Sequence, residues 1–313
     1  MKYLVLGAMA LLATTAMFGQ TQTGNGNGLA VLTSFSNVWL TDQTGNFNDI
    51  DILQIGTGND GKVIQGNVGA PSHFNNSDLT QIGDYNFSCV EQIGDDNDSD
   101  VSQIGNDNWN DGYQNGNDND LDVSQIGDYN LSASRQVGNR NEADANQIGD
   151  DNLSEIAQNG NQNHADVDQL GDNNLSVVEQ TGNKNRSDVY QLGDNNLAHN
   201  VQTGNQNMSD IDQRGDDNLT TVFQIGNKNK NLTIQEGNRN YNEILQQGNN
   251  NKVDVQQYGD DNKNITHQLK NWGDVTVLQN GNLNCSKVFQ TLTNGSTATV
   301  TQLGNNNTSC IYQ

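Results

Sequence analysis

Small or apolar residues stand two apart along this chain, and the pair returns every eleven residues. The pairs Ser88/Val90, Ser99/Val101, Ala143/Ala145, Ser154/Ile156, Ala165/Val167, Ser176/Val178, Ser187/Val189 and Ser209/Ile211 set the pattern. Acids often fill the position between the two members, as at Asp100, Asp111, Asp122, Asp144, Glu155, Asp166, Asp188 and Asp210. Alternation with period two predicts short strands, one face inward and one face in solvent. No segment carries a helical period.

Between the strands lies the sequence Q-x-G-x-x-N. Glutamine recurs every eleven residues from Gln81 to Gln290, twenty in succession. Gly follows two residues later in eighteen of these units, and Asn five residues later in eighteen. Gln43, Gln54 and Gln65 precede the run, and Gln302 and Gln313 follow it after a one-residue slip. Gly and Asn tolerate positive φ and bond to nearby backbone, so G-x-x-N predicts a turn. The central turn glycines are Gly127, Gly138, Gly149, Gly160, Gly171, Gly182, Gly193, Gly204, Gly215 and Gly226. From each Asn to the next Gln, both counted, are seven residues, close to the usual strand length.

Alternate units differ. Those opening at Gln125, Gln147, Gln169, Gln191 and Gln213 read Q-[ILR]-G-D-x-N-L, and those between read Q-[VNT]-G-N-x-N. The true repeat is therefore about 22 residues: strand, turn, strand, turn. One such rung cannot bury its inner face alone, so it must stack on copies of itself. The fold class predicted is all-β, a β-solenoid of about twelve rungs with amyloid-like stacking at ~4.8 Å per rung.

Stacking places like over like. The inward Gln125, Gln136, Gln147, Gln158, Gln169, Gln180, Gln191, Gln202, Gln213 and Gln224 would form structural ladders. So would Asn130, Asn141, Asn152, Asn163, Asn174, Asn185, Asn196, Asn207, Asn218 and Asn229. Amide ladders of this kind satisfy their own hydrogen bonds in a dry interior. The same alternation gathers Asp128, Asp150, Asp172, Asp194 and Asp216 into one turn column, an acidic edge.

Charge sharpens the picture. The 313-residue chain carries 38 acids against 14 lysines and arginines, with 32% hydrophobic residues. Such a composition alone suggests a disordered chain. Charge is nevertheless kept off the inward positions, which predicts order in the assembled state. Basic residues are too few for nucleic acid. His73, His164, His199 and His267 show no ligand spacing, and no nucleophile–base arrangement appears. Neither catalysis nor a cofactor or metal site is predicted.

These features resemble the curlin repeat family, the subunits of bacterial curli fibres. Its pattern is roughly S-x5-Q-x-G-x-x-N-x-A-x3-Q. Gln158, Gly160, Asn163, Ala165 and Gln169 match the second half, and Ser187, Gln191, Asn196, Ala198 and Gln202 match most of a unit. The resemblance covers about Trp39 to Gln313. It implies self-assembly into a homopolymeric fibre, an outer-membrane curli secretion channel and a nucleator subunit as partners, and a place outside the bacterial cell.

The ends bound this reading. Lys2 precedes an apolar stretch from Leu4 to Phe18, which reads as a secretory signal peptide over 1–19. No other apolar run is long enough to span a membrane. Residues 20–37 read as a flexible Gly/Asn-rich segment, and 38–313 as the repeats. Pro71 marks an insertion at 66–80, because Pro is excluded from central strands. Cys89, Cys285 and Cys310 fall at outward positions and read as free thiols.

Two functions fit such a chain. One is a secreted structural subunit that adds head to tail into curli-like fibres, for biofilm matrix and surface adhesion. The other is a soluble monomeric β-solenoid for cell-surface or ice recognition. Mixed outward columns and a pattern that runs to Gln313 favour the first.

Overall fold

The computed structural model describes residues 18–32, 37–66 and 72–313. Every regular element among them is a strand, twenty-six in all. From β5 (Asn76–Ile82) to β24 (Cys285–Gln290), each strand pairs in parallel with the strand two further along the chain. Thus β10 (Leu131–Val137) lies on β12 (Leu153–Asn161), with Leu131 opposite Leu153 and Gln136 opposite Gln158. Likewise β11 (Glu142–Ile148) lies on β13 (His164–Leu170), with Gln147 opposite Gln169. Odd and even strands therefore build two stacks facing each other across a narrow core, sheet A and sheet B. The chain is a parallel β-solenoid.

Burial follows the sequence alternation. In β13 the residues Ala165, Val167 and Gln169 are buried, while His164, Asp166, Asp168 and Leu170 face outward. Valine and isoleucine predominate at the second inward position, as at Val167, Val189 and Ile211. These branched side chains suit the pleated, buried surface of a strand.

The turns stack as regularly as the strands. Gly149 N–H donates to the Ile126 carbonyl at 2.9 Å, and Asp151 N–H to the Asp128 carbonyl at 3.0 Å. Two residues per turn take positive φ. The glycine does so at values such as +124° for Gly149, and a Cβ there would run into the Gly171 carbonyl oxygen of the next rung. The second is not the Asn, as G-x-x-N suggested, but the residue before it: Tyr129 at 60°, Arg140 at 58°, Lys184 at 59°, Trp272 at 62°. The Asn itself is buried and committed to its ladder, so the left-handed residue faces solvent and accepts almost any side chain.

Two boundaries differ from the sequence reading. Over 20–37 a flexible segment was expected, but β1 (Phe18–Leu32) pairs with β2 (Val38–Ile55). Gln22 stands opposite Gln43 and Gly24 opposite Gly45, so this segment begins as a further unit, and the register then shifts so that Asn27 stands opposite Asp49. The insertion expected at 66–80 is narrower. Ser72 and His73 pair with Gly45 and Asn46, Phe74 takes the left-handed turn position, and Asn76–Ile82 is a regular ladder strand. Residues 67–71, with Pro71, lie outside the described residues. Residues 1–17, most of the expected signal, lie outside the described residues.

The one-residue slip near the C-terminus is absorbed in a turn. Gln290 donates to Gln313 across 23 residues rather than 22, and Gly295 takes φ of 73° in the enlarged turn. At 273 Gly replaces Asn, and its N–H still donates to Asn251 Oδ1 at 2.8 Å.

Candidate assembly site: amide ladders and outward columns

From Gln54 to Gln290 each inward glutamine makes two bonds with one nitrogen. Gln169 Nε2 donates to Gln191 Oε1 at 2.9 Å in the next rung, and to the Leu153 carbonyl of the facing sheet at 3.0 Å. The same pair of bonds recurs at Gln125, Gln136, Gln147, Gln158, Gln180, Gln191, Gln202, Gln213 and Gln224. The ladder therefore holds rung to rung and also rivets sheet A to sheet B. Buried amides are costly unless both ends are paired, and here a neighbouring copy supplies the pairing.

The asparagines lock the turns. Asn174 Oδ1 accepts the Asn196 N–H at 3.0 Å and the Asn196 Nδ2 at 3.2 Å. Asn196 Nδ2 also donates to the Gly215 carbonyl at 2.8 Å. This geometry repeats through Asn130, Asn141, Asn152, Asn163, Asn185, Asn207, Asn218 and Asn229.

The turn aspartates form a hydrogen-bonded column. The N–H of Asp128 donates to Asp150 Oδ1 at 2.8 Å, that of Asp150 to Asp172 at 2.9 Å, and that of Asp172 to Asp194 at 2.9 Å. Asp194 N–H reaches Asp216 at 3.0 Å. These acids cap the backbone of the turn below them, a role Asn fills at the opposite edge through Asn161, Asn183 and Asn205.

A second acid column lies on the outer face of sheet A. Asp51, Asp78, Asp100, Asp122, Asp144, Asp166, Asp188 and Asp210 stand opposite one another over consecutive rungs. Sequence reading found these acids at outward positions but mixed them with acids of the other sheet. Separating units by the 22-residue period would have revealed the column. Burial raises Asp144 to about 7, aided by Glu142, Asp122 and Asp166, while His164 pulls it down. Burial also raises Asp120 to about 6, with Asp122 and Asp98 adding to it. Asp100, Asp122, Asp166 and Asp210 are raised for the same first cause.

Glu142, Asp144 and His164 hold ligand-type atoms within 4.8 Å of one another. His164 Nδ1 lies 3.1 Å from Glu142 Oε2, an ion pair only when the imidazole is protonated. Of the other histidines, His199 and His267 stack edge-on against Phe223 and Phe289. His73 Nδ1 accepts the Asn46 N–H at 2.9 Å, within the turn formed by the insertion.

Residues 75–105, 116–149, 138–171, 149–182, 160–193 and 182–215 match the curlin associated repeat. Over these residues the chain is built of curlin-type repeats. The matched curlin units lie on the same ladders and turns described above, and the unmatched rungs continue them in the same register. No curated protein matches the chain. The curlin repeat is a structural repeat, which agrees with an architecture built of stacking contacts. Among the described residues no helix is long and apolar enough to cross a membrane.

The cysteines follow their expected columns. Cys285 pairs with Thr308 and Cys310 with Lys287, so the two thiols are offset by two residues along adjacent strands. All three cysteines are free, and burial raises the Cys89 thiol.

Proposed function

We propose that this protein is a secreted subunit that adds head to tail into a curli-like fibre at the bacterial surface, for biofilm matrix and adhesion. The observation that carries this reading is the identity of successive interfaces. Rung on rung, Gln meets Gln and Asn meets Asn through one set of bonds, so the terminal rung of one molecule suits the first rung of another. In the last rung, β25 (Thr297–Leu303) keeps its inward residues buried, whereas in β26 (Thr308–Tyr312) none is fully buried. Ser309 and Ile311, both at inward positions, are partly exposed there. A heterologous contact of this kind does not close, and it generates filaments.

An outer-membrane secretion channel and a nucleator subunit are the partners that the curlin-type repeats suggest. Secretion through a channel requires an unfolded chain, which suits a composition poor in apolar residues. The test is growth kinetics of the chain lacking residues 1–19. Fibres should appear after a lag, and sonicated fibre fragments should abolish it. A β-rich monomer that persists for days at tens of micromolar would instead support a soluble recognition solenoid.

A further inference from the structure

The two outer faces of the solenoid differ in kind. Sheet A carries the column from Asp51 to Asp210. Sheet B carries a column of large apolar residues at the first outward position of each strand. Phe87, Trp109, Leu131, Leu153, Leu175, Leu197, Leu219 and Tyr241 stand opposite one another over eight consecutive rungs. Phe87 and Trp109 stack at 4.1 Å between ring centroids.

The two other outward columns of this face are mixed: they hold Glu91, Asp111, Arg135, Glu155, Glu179 and Glu243, but between Val177 and Leu245 they also extend the apolar surface. On adjacent strands lie Val177, then Val201 beside Leu197, then Phe223 and Ile225 beside Leu219, then Leu245. The outward positions of the rungs 197–203 and 219–225 hold no Asp, Glu, Lys or Arg. Trp109 is 47% exposed and Ile225 43% exposed, and the leucines are half-buried only by their own ladder. Contiguous apolar patches beyond a few hundred Å² are rare on monomers and mark interaction sites.

We infer that sheet B is the lateral pairing face, on which a second copy of this chain docks through its own sheet B. The size fits. Eight rungs at ~4.8 Å and strands of six steps at ~3.3 Å give a flat area of about 760 Å² per copy, or about 1,500 Å² in total. Specific stable interfaces bury about 1,200–2,000 Å². Charge fixes which faces meet. Pairing through sheet A would set two aspartate columns against each other, whereas pairing through sheet B leaves both in solvent. The product is a pair of solenoids joined along the apolar column, with Glu91, Asp111, Arg135, Glu155, Glu179 and Glu243 at its flanks and the aspartate columns on the two outer faces. Axial stacking, which the proposed function requires, uses different contacts, so the two can fail separately.

The test compares mass per length of wild-type fibres with that of a Leu175→Lys/Leu197→Glu/Leu219→Lys variant. Alternating charges keep the mutated column self-compatible, and circular dichroism with thermal melting checks that the solenoid persists. A second variant, Val201→Ser/Phe223→Ser/Leu245→Ser, removes apolar surface without adding charge. An Asp122→Asn/Asp144→Asn/Asp166→Asn variant of sheet A is the control. Wild type and control should have the mass per length of two solenoids, and both sheet B variants should fall twofold while still forming fibres. Wild-type fibres of one solenoid, or variants that stay double, would overturn the inference. If the wild type makes no fibre, sedimentation decides: a dimer that both variants convert to monomer supports the pairing, and a wild-type monomer overturns it. Single wild-type solenoids that sediment with phosphatidylcholine vesicles, and lose this in the variants, would assign the face to lipid instead.

Discussion

Leu121 occupies the space that Gly112 leaves empty. A Cβ built on Gly112 would lie 2.6 Å from Leu121 Cδ2, and Gly61 bears the same relation to Leu79 at 2.8 Å. The usual rung sets a small residue beside a branched one, and these two rungs reach a similar volume with a leucine and a glycine. Gly112→Val should therefore cost about 1–3 kcal/mol by overpacking. Adding Leu121→Ala should restore most of it. Equilibrium denaturation of the two variants and of Leu121→Ala alone forms the cycle, and additive costs would show that the residues do not share one space.

Turn glycines obey a different constraint. At Gly149 the φ of +124° and the Gly171 carbonyl both oppose a side chain, and neither is a flexible tip that can move aside. Gly149→Ala should cost about 3 kcal/mol or more. Arg140→Gly, at the exposed left-handed position, should be neutral or stabilising, because it relieves the strain of a non-glycine residue there. Thermal midpoints of the two variants should move in opposite directions or differ by several degrees.

The amide ladder predicts a large penalty for an apolar replacement of similar size. Gln169→Leu leaves Gln147 Nε2, Gln191 Oε1 and the Leu153 carbonyl each short of a partner. At about 1–3 kcal/mol for each buried unpaired group, the loss should be about 3 kcal/mol or greater, although leucine is the more hydrophobic residue. Gln247→Leu, at an exposed outward position, is the matching control and should change stability by less than about 0.5 kcal/mol. Equal effects would contradict the inward assignment of Gln169.

The Asp144 carboxyl is raised in the fold from its ordinary 3.8 to about 7. Its charged form is thus disfavoured in the folded state. The group costs nothing at a pH below about 4, where both states are protonated, and its full penalty is felt above about pH 7. Stability and fibre growth should therefore fall as pH rises through this window. Asp144→Asn should flatten the fall and stabilise the solenoid most at pH 8, and salt should act in the same direction by screening the column. Lag time and thermal midpoint from pH 4 to 8 provide the check; an unchanged pH profile in the variant would remove Asp144 from the account.

Much of this was legible in the sequence, because a solenoid repeats its solution at every rung. The eleven-residue glutamine count gave the strands, and uncharged positions such as Val167 and Val189 gave the inward face. Three features escaped. Gln22 and Gly24 stand in register with Gln43 and Gly45, but no glutamine at 33 links them to the count. Ser72 fills a glycine slot by its backbone, which no residue pattern announces, although Asn75 keeps its usual distance from Gln81. The division into an acidic and an apolar face emerges only when alternate units are read apart. Asp144 and Glu155 share an offset from their glutamines yet lie on opposite sheets.

The central claim is that one set of rung contacts continues from molecule to molecule. Diffraction from aligned fibres of the chain lacking residues 1–19 tests it most directly. The account predicts a sharp meridional reflection near 4.8 Å and an equatorial one near 10 Å, from rung stacking along the fibre and sheets packed across it. Fibres with no meridional 4.8 Å reflection, or with strands running along the fibre axis, would contradict it.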